Sequence, residues 1–155
     1  MAVSTDSLAA YTIYLDTLQA PAEERIARVR RGLPPALVMQ LAHDLRIPDR
    51  NLALYLGLNR AVLRRRIADD ERLSAQESEG PLAMALLAGR VVMACRQSSV
   101  DRGIVADPLD WLGRWLRTPL PGLDGGAPIQ YMDIGEGRAL VADCLADALS
   151  PEPCA

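Results

Sequence analysis

The sequence predicts an all-α protein, with an N-terminal helical bundle followed by a small second helical domain. Half of its 155 residues are apolar, which is enough for a core, but Phe is absent and aromatic residues make up only 4%. The abundant Ala and Leu favour helices over strands. Apolar residues recur at helical spacing along most of the chain, and Pro, Gly and capping residues interrupt that spacing. We therefore expect short helices joined by tight turns.

The first 48 residues predict three helices. In the first, Leu8, Tyr11, Leu15 and Leu18 fall on one face. The second has acids in its first turn and arginines in its last, an order that suits the dipole of a helix. Proline and glycine separate the segments. The predicted starts and stops are a cap at Thr5 or Asp6, a start at Pro21, a stop at Gly32, a start at Pro34-Pro35 and an end before Pro48.

Residues 49–68 have the spacing of a helix-turn-helix unit. Small Ala53 lies where the two helices would cross, Gly57 follows to make the turn, and Leu63 comes after it in the second helix. We expect Asp49 to cap the first helix and Asn59 to cap the second. The residues expected to face the core are Leu52, Ala53, Leu56, Leu63 and Ile67.

The second of these two helices is rich in arginine. Between Arg25 and Arg66 the chain has ten arginines and two acids, whereas from Asp101 to the end it has four arginines and nine acids. Arginine can bind guanine edges or clamp phosphate, so a basic helix beside a tight turn is typical of a DNA-reading element. A solvated basic surface without a ligand is the alternative. The candidate DNA-binding residues are Arg50, Asn59, Arg60, Arg64, Arg65 and Arg66.

A long apolar helix is predicted after the acidic residues 69–71. Ser74 and Glu77 form a capping-box pattern at its start. Its most apolar part, residues 81–95, contains Arg90 and is too short to span a bilayer, which predicts a buried helix. The helical pattern weakens at residues 101–106, where we expect a linker. The predicted division is 1–32 for the N-terminal helices, 33–100 for the helix-turn-helix domain and 101–155 for the second domain.

Two tryptophans open the last third of the chain. Trp111 and Trp115 would stack along one helical face and anchor the irregular, Pro- and Gly-rich loop that follows at residues 118–126. Packing is the expected role for most of this segment. A final helix over about residues 136–149 precedes a tail extended by Pro151 and Pro153. The residues expected on the apolar stripe of that helix are Val141, Leu145, Ala148 and Leu149.

The sequence offers no catalytic or metal-binding set. His43 is the single histidine, and Cys95, Cys144 and Cys154 form no CxxC pair. Neither a zinc site nor a nucleophile–base pair is therefore indicated. Unpaired thiols are typical of a reducing, cytosolic compartment. We expect a cytoplasmic protein that is not an enzyme, uses no cofactor and does not enter a membrane.

The segment from Trp115 to Pro128, together with Gly137 and Val141, resembles the toxin-binding domain of the Xre, MbcA and ParS antitoxins. That family's pattern is roughly WL-x-x-P-x-x-x-L-x-G-x-x-P followed by G-x-x-x-V. Residues 63–66 and 73–78 are similar to the end of the family's Xre-like helix-turn-helix and to the helix after it. The resemblance covers about residues 32–149. The positions that we expect to shape the module are Trp111, Trp115, Pro119, Leu123, Gly125, Pro128 and Gly137.

The resemblance implies a type II antitoxin. Such antitoxins counter RES-domain toxins, which consume NAD or transfer its ADP-ribose, by inserting their C-terminal region toward the NAD pocket, and the Xre-like domain commonly represses its own operon. A homodimer within a larger toxin–antitoxin hetero-oligomer is expected. An acidic last helix and tail would complement an arginine-bearing pocket that otherwise receives NAD phosphates. The candidate toxin-binding residues are Glu136, Arg138, Asp143, Asp147, Ser150, Glu152 and Ala155.

The ending of the chain departs from the family. Relatives usually continue past the last helix with a charged, glycine-containing segment, whereas residues 150–155 are Ser-Pro-Glu-Pro-Cys-Ala. Which residue enters the toxin pocket therefore stays open. Two other interpretations also stay open: a stand-alone transcriptional regulator whose C-terminal module only dimerises, and an antitoxin whose helix-turn-helix is purely structural.

Overall fold

The computed structural model describes residues 11–97 and 107–150, and within those ranges it contains helices and no strand. This confirms the predicted all-α class. The expected cap at Thr5 or Asp6, the position of Leu8, the linker at 101–106 and the tail after Ser150 concern residues outside those ranges. The helices are α1 (Thr12–Gln19), α2 (Ala22–Arg31), α3 (Ala36–Leu45), α4 (Asp49–Tyr55), α5 (Arg60–Ala68), α6 (Ala75–Gln97), α7 (Pro108–Leu116) and α8 (Gly135–Leu149), with 3₁₀ turns at Pro121–Leu123 and Pro128–Tyr131.

Helix α6 is the central element, and it contacts α1, α2, α3, α7 and α8. Its N-terminus has the predicted capping box, because Glu77 N–H donates to Ser74 Oγ at 3.0 Å and Ser74 N–H donates to Glu77 Oε1 at 2.7 Å. This helix alone among the described residues is long and apolar enough to cross a membrane. However, 61% of its most apolar stretch is buried inside the protein, and the core helix of a soluble protein has the same character.

One hydrophobic core joins the two parts of the described chain. It runs from Tyr11 in the turn before α1 to Leu145 in α8. Helix α7 crosses the end of α3 at such close range that a Cβ atom on Gly113 would collide with the carbonyl oxygen of Leu45. The helix-turn-helix region and the C-terminal module therefore share packing, while the predicted domain limits at 32 and 100 stay a prediction.

Two buried tyrosines fasten α1 to its neighbours. The hydroxyl of Tyr14 donates to Asp44 in α3 at 2.5 Å, and that of Tyr11 donates at 2.7 Å to Asp107, the N-cap of α7. Burial, the acceptor carboxylate and its charge all raise the pKa of each phenol well above its usual value. Both groups therefore stay protonated and donate throughout the physiological pH range.

Three sequence expectations are wrong. Asp49 is the first residue inside α4, Pro48 occupies the N-cap, and no side chain caps that helix. Ile67 is 43% exposed although it lies four residues after buried Leu63, because no neighbouring helix covers the last turn of α5. Ala148 is also exposed, since the buried stripe of α8 narrows after Leu145 and only Leu149 is partly covered.

Candidate DNA-binding and partner-binding faces

The helix-turn-helix places a basic surface on α5. Leu52, Ala53 and Leu56 are buried as predicted, and Gly57 makes the turn with φ 76°, a backbone conformation that favours glycine. Asn59 is the predicted cap, because its Oδ1 accepts from the N–H groups of Ala61 at 2.9 Å and Val62 at 3.3 Å. The residues left on the solvent side are Arg50 of α4 and Arg60, Arg64 and Arg65 of α5.

Arg66 is placed differently from the other candidate DNA-binding arginines. Its guanidinium is half-buried beside two carboxylates, with NH1 3.4 Å from Glu71 Oε2 and Nε 2.9 Å from Glu77 Oε1. The Nε–H does not point at an acceptor, so the contact with Glu77 is an ion pair and not a hydrogen bond. Burial alone would raise the pKa of Glu77, but hydrogen bonds from Ser74 and the Arg66 charge outweigh it and lower that pKa. Arg66 thus holds α5 to the start of α6.

The tryptophan-containing segment forms a framework in front of α8. Trp111 and Trp115 stack as predicted, with ring centroids 6.2 Å apart and planes 13° from parallel, and both are partly buried. The phenol of Tyr131 donates to the Leu123 carbonyl at 3.0 Å, which closes the loop between the two 3₁₀ turns. A Cβ on Gly137 would collide with the Tyr131 carbonyl oxygen, so α8 approaches this loop closely. Of the remaining motif positions, Leu123 and Pro128 are buried, and Pro119 and Gly125 are exposed.

Helix α8 presents an acidic face to solvent. Val141 and Leu145 are buried on its inner side. The residues Glu136, Leu140, Asp143 and Asp147 are exposed and follow one another at spacings of four, three and four, which puts them on one stripe. Burial and the neighbouring Asp147 and Asp143 carboxylates raise the pKa of the Cys144 thiol, which keeps it protonated and poorly nucleophilic.

The other candidate toxin-binding residues separate into three cases. Arg138 faces inward, and its Nε donates to the Met132 carbonyl at 2.8 Å while its NH2 donates to the Asp133 carbonyl at 3.2 Å. Ser150 is exposed at the C-cap of α8. Glu152 and Ala155 lie outside the described residues. The structure therefore brings Glu136, Asp143 and Asp147 together and assigns Arg138 to the loop.

Sequence reasoning missed the apolar part of this surface. Leu140 is 41% exposed in the middle of the acidic stripe, and Ile134, at the N-cap of α8, is 61% exposed. The signal for Leu140 was present in the sequence, because it lies four residues after Glu136 and three before Asp143. An exposed leucine surrounded by acids gives the face an apolar anchor as well as charge.

The basic and acidic faces are connected through a short contact. A Cβ on Gly57, in the turn of the helix-turn-helix, would lie 3.4 Å from the Asp133 carbonyl oxygen. That same carbonyl accepts from Arg138 of α8. The DNA-facing turn and the base of the acidic helix therefore rest on one loop. Within residues 11–97 and 107–150, no cluster of His, Cys, Asp and Glu is arranged to hold a metal ion.

The fold and these faces define the class of protein: a helix-turn-helix unit joined through a common core to a helical protein-binding module. A family model described as the antitoxin Xre-like helix-turn-helix domain matches residues 24–79, and one described as the antitoxin Xre/MbcA/ParS C-terminal toxin-binding domain matches residues 104–147. A relative, the Prs ADP-ribosylating antitoxin of Sphingobium sp. (strain YBL2), is 30% identical over 137 residues, which cover 88% of this chain and 85% of that protein. The chain belongs to the Xre/MbcA/ParS family of antitoxins.

Proposed function

We propose that this antitoxin neutralises a RES-domain toxin through the acidic face of α8, in the cytoplasm and without catalysis of its own. The observation that carries the proposal is the stripe of Glu136, Asp143 and Asp147 around exposed Leu140. A pocket that binds NAD phosphates needs positive charge, and carboxylates on a rigid helix compete for such a pocket. The residues that follow Ser150 extend this surface toward the NAD site.

The toxin that fits this proposal transfers ADP-ribose. The relative's name, Prs ADP-ribosylating antitoxin, links that protein to ADP-ribosylation and not to simple NAD hydrolysis. We extend that chemistry to the toxin countered by this chain, with Prs as the first target protein to test.

Co-expression with a RES-domain protein encoded next to this chain tests the neutralisation. We expect the toxin alone to arrest growth and the antitoxin to restore it, whereas Asp143→Arg/Asp147→Arg should fail to restore it. Asp16→Arg, which reverses an exposed charge on α1, is the matched control and should protect fully. Equal protection by the α8 variant would refute the acidic face as the binding surface.

We further propose that the helix-turn-helix represses the antitoxin's own operon. Support comes from the exposed Arg60, Arg64 and Arg65 on α5, beside Arg50 at the start of α4. Arginines at these positions can fork onto guanine edges while the N-terminus of α4 binds phosphate. Arg66 is left out, because it is held by Glu71 and Glu77.

Binding to the promoter DNA of the operon tests this second role. Replacing Arg60, Arg64 and Arg65 by Ala should weaken binding at least tenfold and reduce its dependence on salt, since each lost phosphate contact lowers the salt slope by about one. Arg114→Ala on α7 removes an equally exposed arginine and should change neither quantity. Unchanged affinity in the triple variant would assign the basic face a purely structural role and would leave the toxin-binding proposal intact.

A further inference from the structure

An open apolar cleft lies between α2 and α6. Its volume is about 720 Å³, and its lining includes Ile26 and Val29 of α2 and Leu82, Ala83 and Leu86 of α6. Helix α2 has no buried residue, and Ile26 is 50% exposed in the middle of its apolar face. An amphipathic helix in a soluble protein normally buries that face. The described part of the chain thus leaves an apolar helix face uncovered.

The charges on α2 are not used equally. Glu24 pairs with Arg28 at 3.2 Å and with Arg31 at 3.9 Å, and Arg25 donates to the Leu18 carbonyl at 3.4 Å. The two remaining charged residues, Glu23 and Arg30, have no ion-pair partner within residues 11–97 and 107–150. They are seven residues apart, so at 100° per residue they lie on the same edge of the helix, about 10 Å from each other along its axis.

We propose that α2 is the contact between two copies of this chain, paired antiparallel across a two-fold axis at the cleft. The midpoint between positions 23 and 30 falls beside Ile26, so an axis there brings the exposed isoleucines of both copies together. The same axis sets Glu23 of each copy opposite Arg30 of the other, because a two-fold axis perpendicular to antiparallel helices keeps equivalent edges on the same side. The single unburied helix is self-complementary in both shape and charge.

A parallel arrangement of the two helices does not fit these residues. It would set Glu23 against Glu23 and Arg30 against Arg30, and like charges in register oppose association. An acidic segment of the toxin is also a weaker fit, since Glu23 and Glu79 lie on or beside the cleft together with its arginines. The mixed charges on one edge favour a partner that carries the same mixture in the opposite direction.

Charge exchange between two variants tests this pairing without toxin or DNA, so its failure would leave the proposed neutralisation untouched. Glu23→Arg alone and Arg30→Glu alone should each weaken the dimer roughly tenfold, because each creates two like-charged pairs. When the two variants are mixed, every opposing pair becomes attractive again, and heterodimers should form with about the affinity of the unmodified chain. Sedimentation equilibrium distinguishes the 16.8 kDa monomer from the dimer.

An apolar substitution supplies the second arm. Ile26→Asp should weaken the dimer roughly a hundredfold, since it removes apolar burial at the axis and places two carboxylates there. Ile13→Asp on α1 is the matched control, because Ile13 is 47% exposed and does not line the cleft. Circular dichroism of both variants checks that each remains folded.

Three results would overturn the proposal. A chain that is monomeric at all concentrations would exclude a second copy as the occupant of the cleft. Dimers that tolerate Ile26→Asp as well as Ile13→Asp would place the interface elsewhere. Failure of the mixed charge variants to associate, with both single variants folded and weakened, would exclude the antiparallel register. Loss of toxin binding in Ile26→Asp with no change in oligomeric state would assign the cleft to the toxin.

Discussion

Gly137 gives a direct test of how the loop before α8 positions the acidic helix. A Cβ added at this residue would meet the backbone carbonyl of Tyr131, which cannot rotate away as a flexible side chain would. The substitution Gly137→Ala therefore forces α8 outward or distorts the turn at Pro128–Tyr131. Overpacking of this kind costs about 1–3 kcal/mol, while the better helix propensity of Ala returns at most about 1 kcal/mol.

The net expectation is a loss of about 1–2 kcal/mol in the free energy of unfolding, measured by urea denaturation. Gly135→Ala is the control two residues earlier in the same helix, where an added Cβ would have no neighbour within 4 Å. That variant should be neutral or slightly more stable. Because α8 would no longer sit correctly, Gly137→Ala should also bind toxin more weakly than Gly135→Ala. Equal stability of the two variants would refute the close packing of α8 on the Tyr131 loop.

Three further predictions concern the groups that hold the helices. Asn59→Ala removes the cap of α5 and should lower the free energy of unfolding by about 1 kcal/mol in urea denaturation. Tyr14→Phe should cost about 1–3 kcal/mol at pH 7, because Asp44 loses a buried donor. Since the folded-state pKa of Tyr14 is raised, its contribution is complete below the unfolded value of 10.0 and is lost as pH rises further, so the variant should show a flatter alkaline limb of stability. Glu77→Gln should destabilise at pH 7 and progressively less as pH falls below 4.5, because the lowered pKa of Glu77 makes its contribution present above the unfolded value and lost in acid; equal cost at pH 7 and pH 3 would contradict this.

Local signals in the sequence predicted the helix starts well. The cap at Asn59 and the capping box of Ser74 and Glu77 depend on residues at most three positions apart, so no tertiary information is needed to find them. The error at Asp49 has the same local origin. Pro48 already occupies the extended position before the helix, and the acid falls one residue inside.

Burial was harder to predict, because it depends on which element covers a face. Leu63 and Ile67 share a helical stripe, yet only Leu63 meets the core, since α4 is too short to cover the last turn of α5. In the same way, helical spacing places Ala148 beside Leu145 but says nothing about where the neighbouring helices end.

Charge was the least reliable guide to the sites. Arg66 and Arg138 have the composition expected of binding residues, but Arg66 pairs with Glu71 and Glu77, and Arg138 donates to the carbonyls of Met132 and Asp133. Those partners come together only in the folded chain. The acidic stripe on α8 was predictable, because its members lie within a single helix.

The central claim is that the acidic face of α8 binds the toxin. The most direct measurement is titration calorimetry of the purified toxin with the full antitoxin and with its Asp143→Arg/Asp147→Arg variant, in the presence and absence of NAD. We predict tight binding of the unmodified chain that NAD weakens by competition, and at least a hundredfold loss of affinity in the variant, with Asp16→Arg unchanged. Undiminished binding by the α8 variant, or affinity that is insensitive to NAD, would contradict the account.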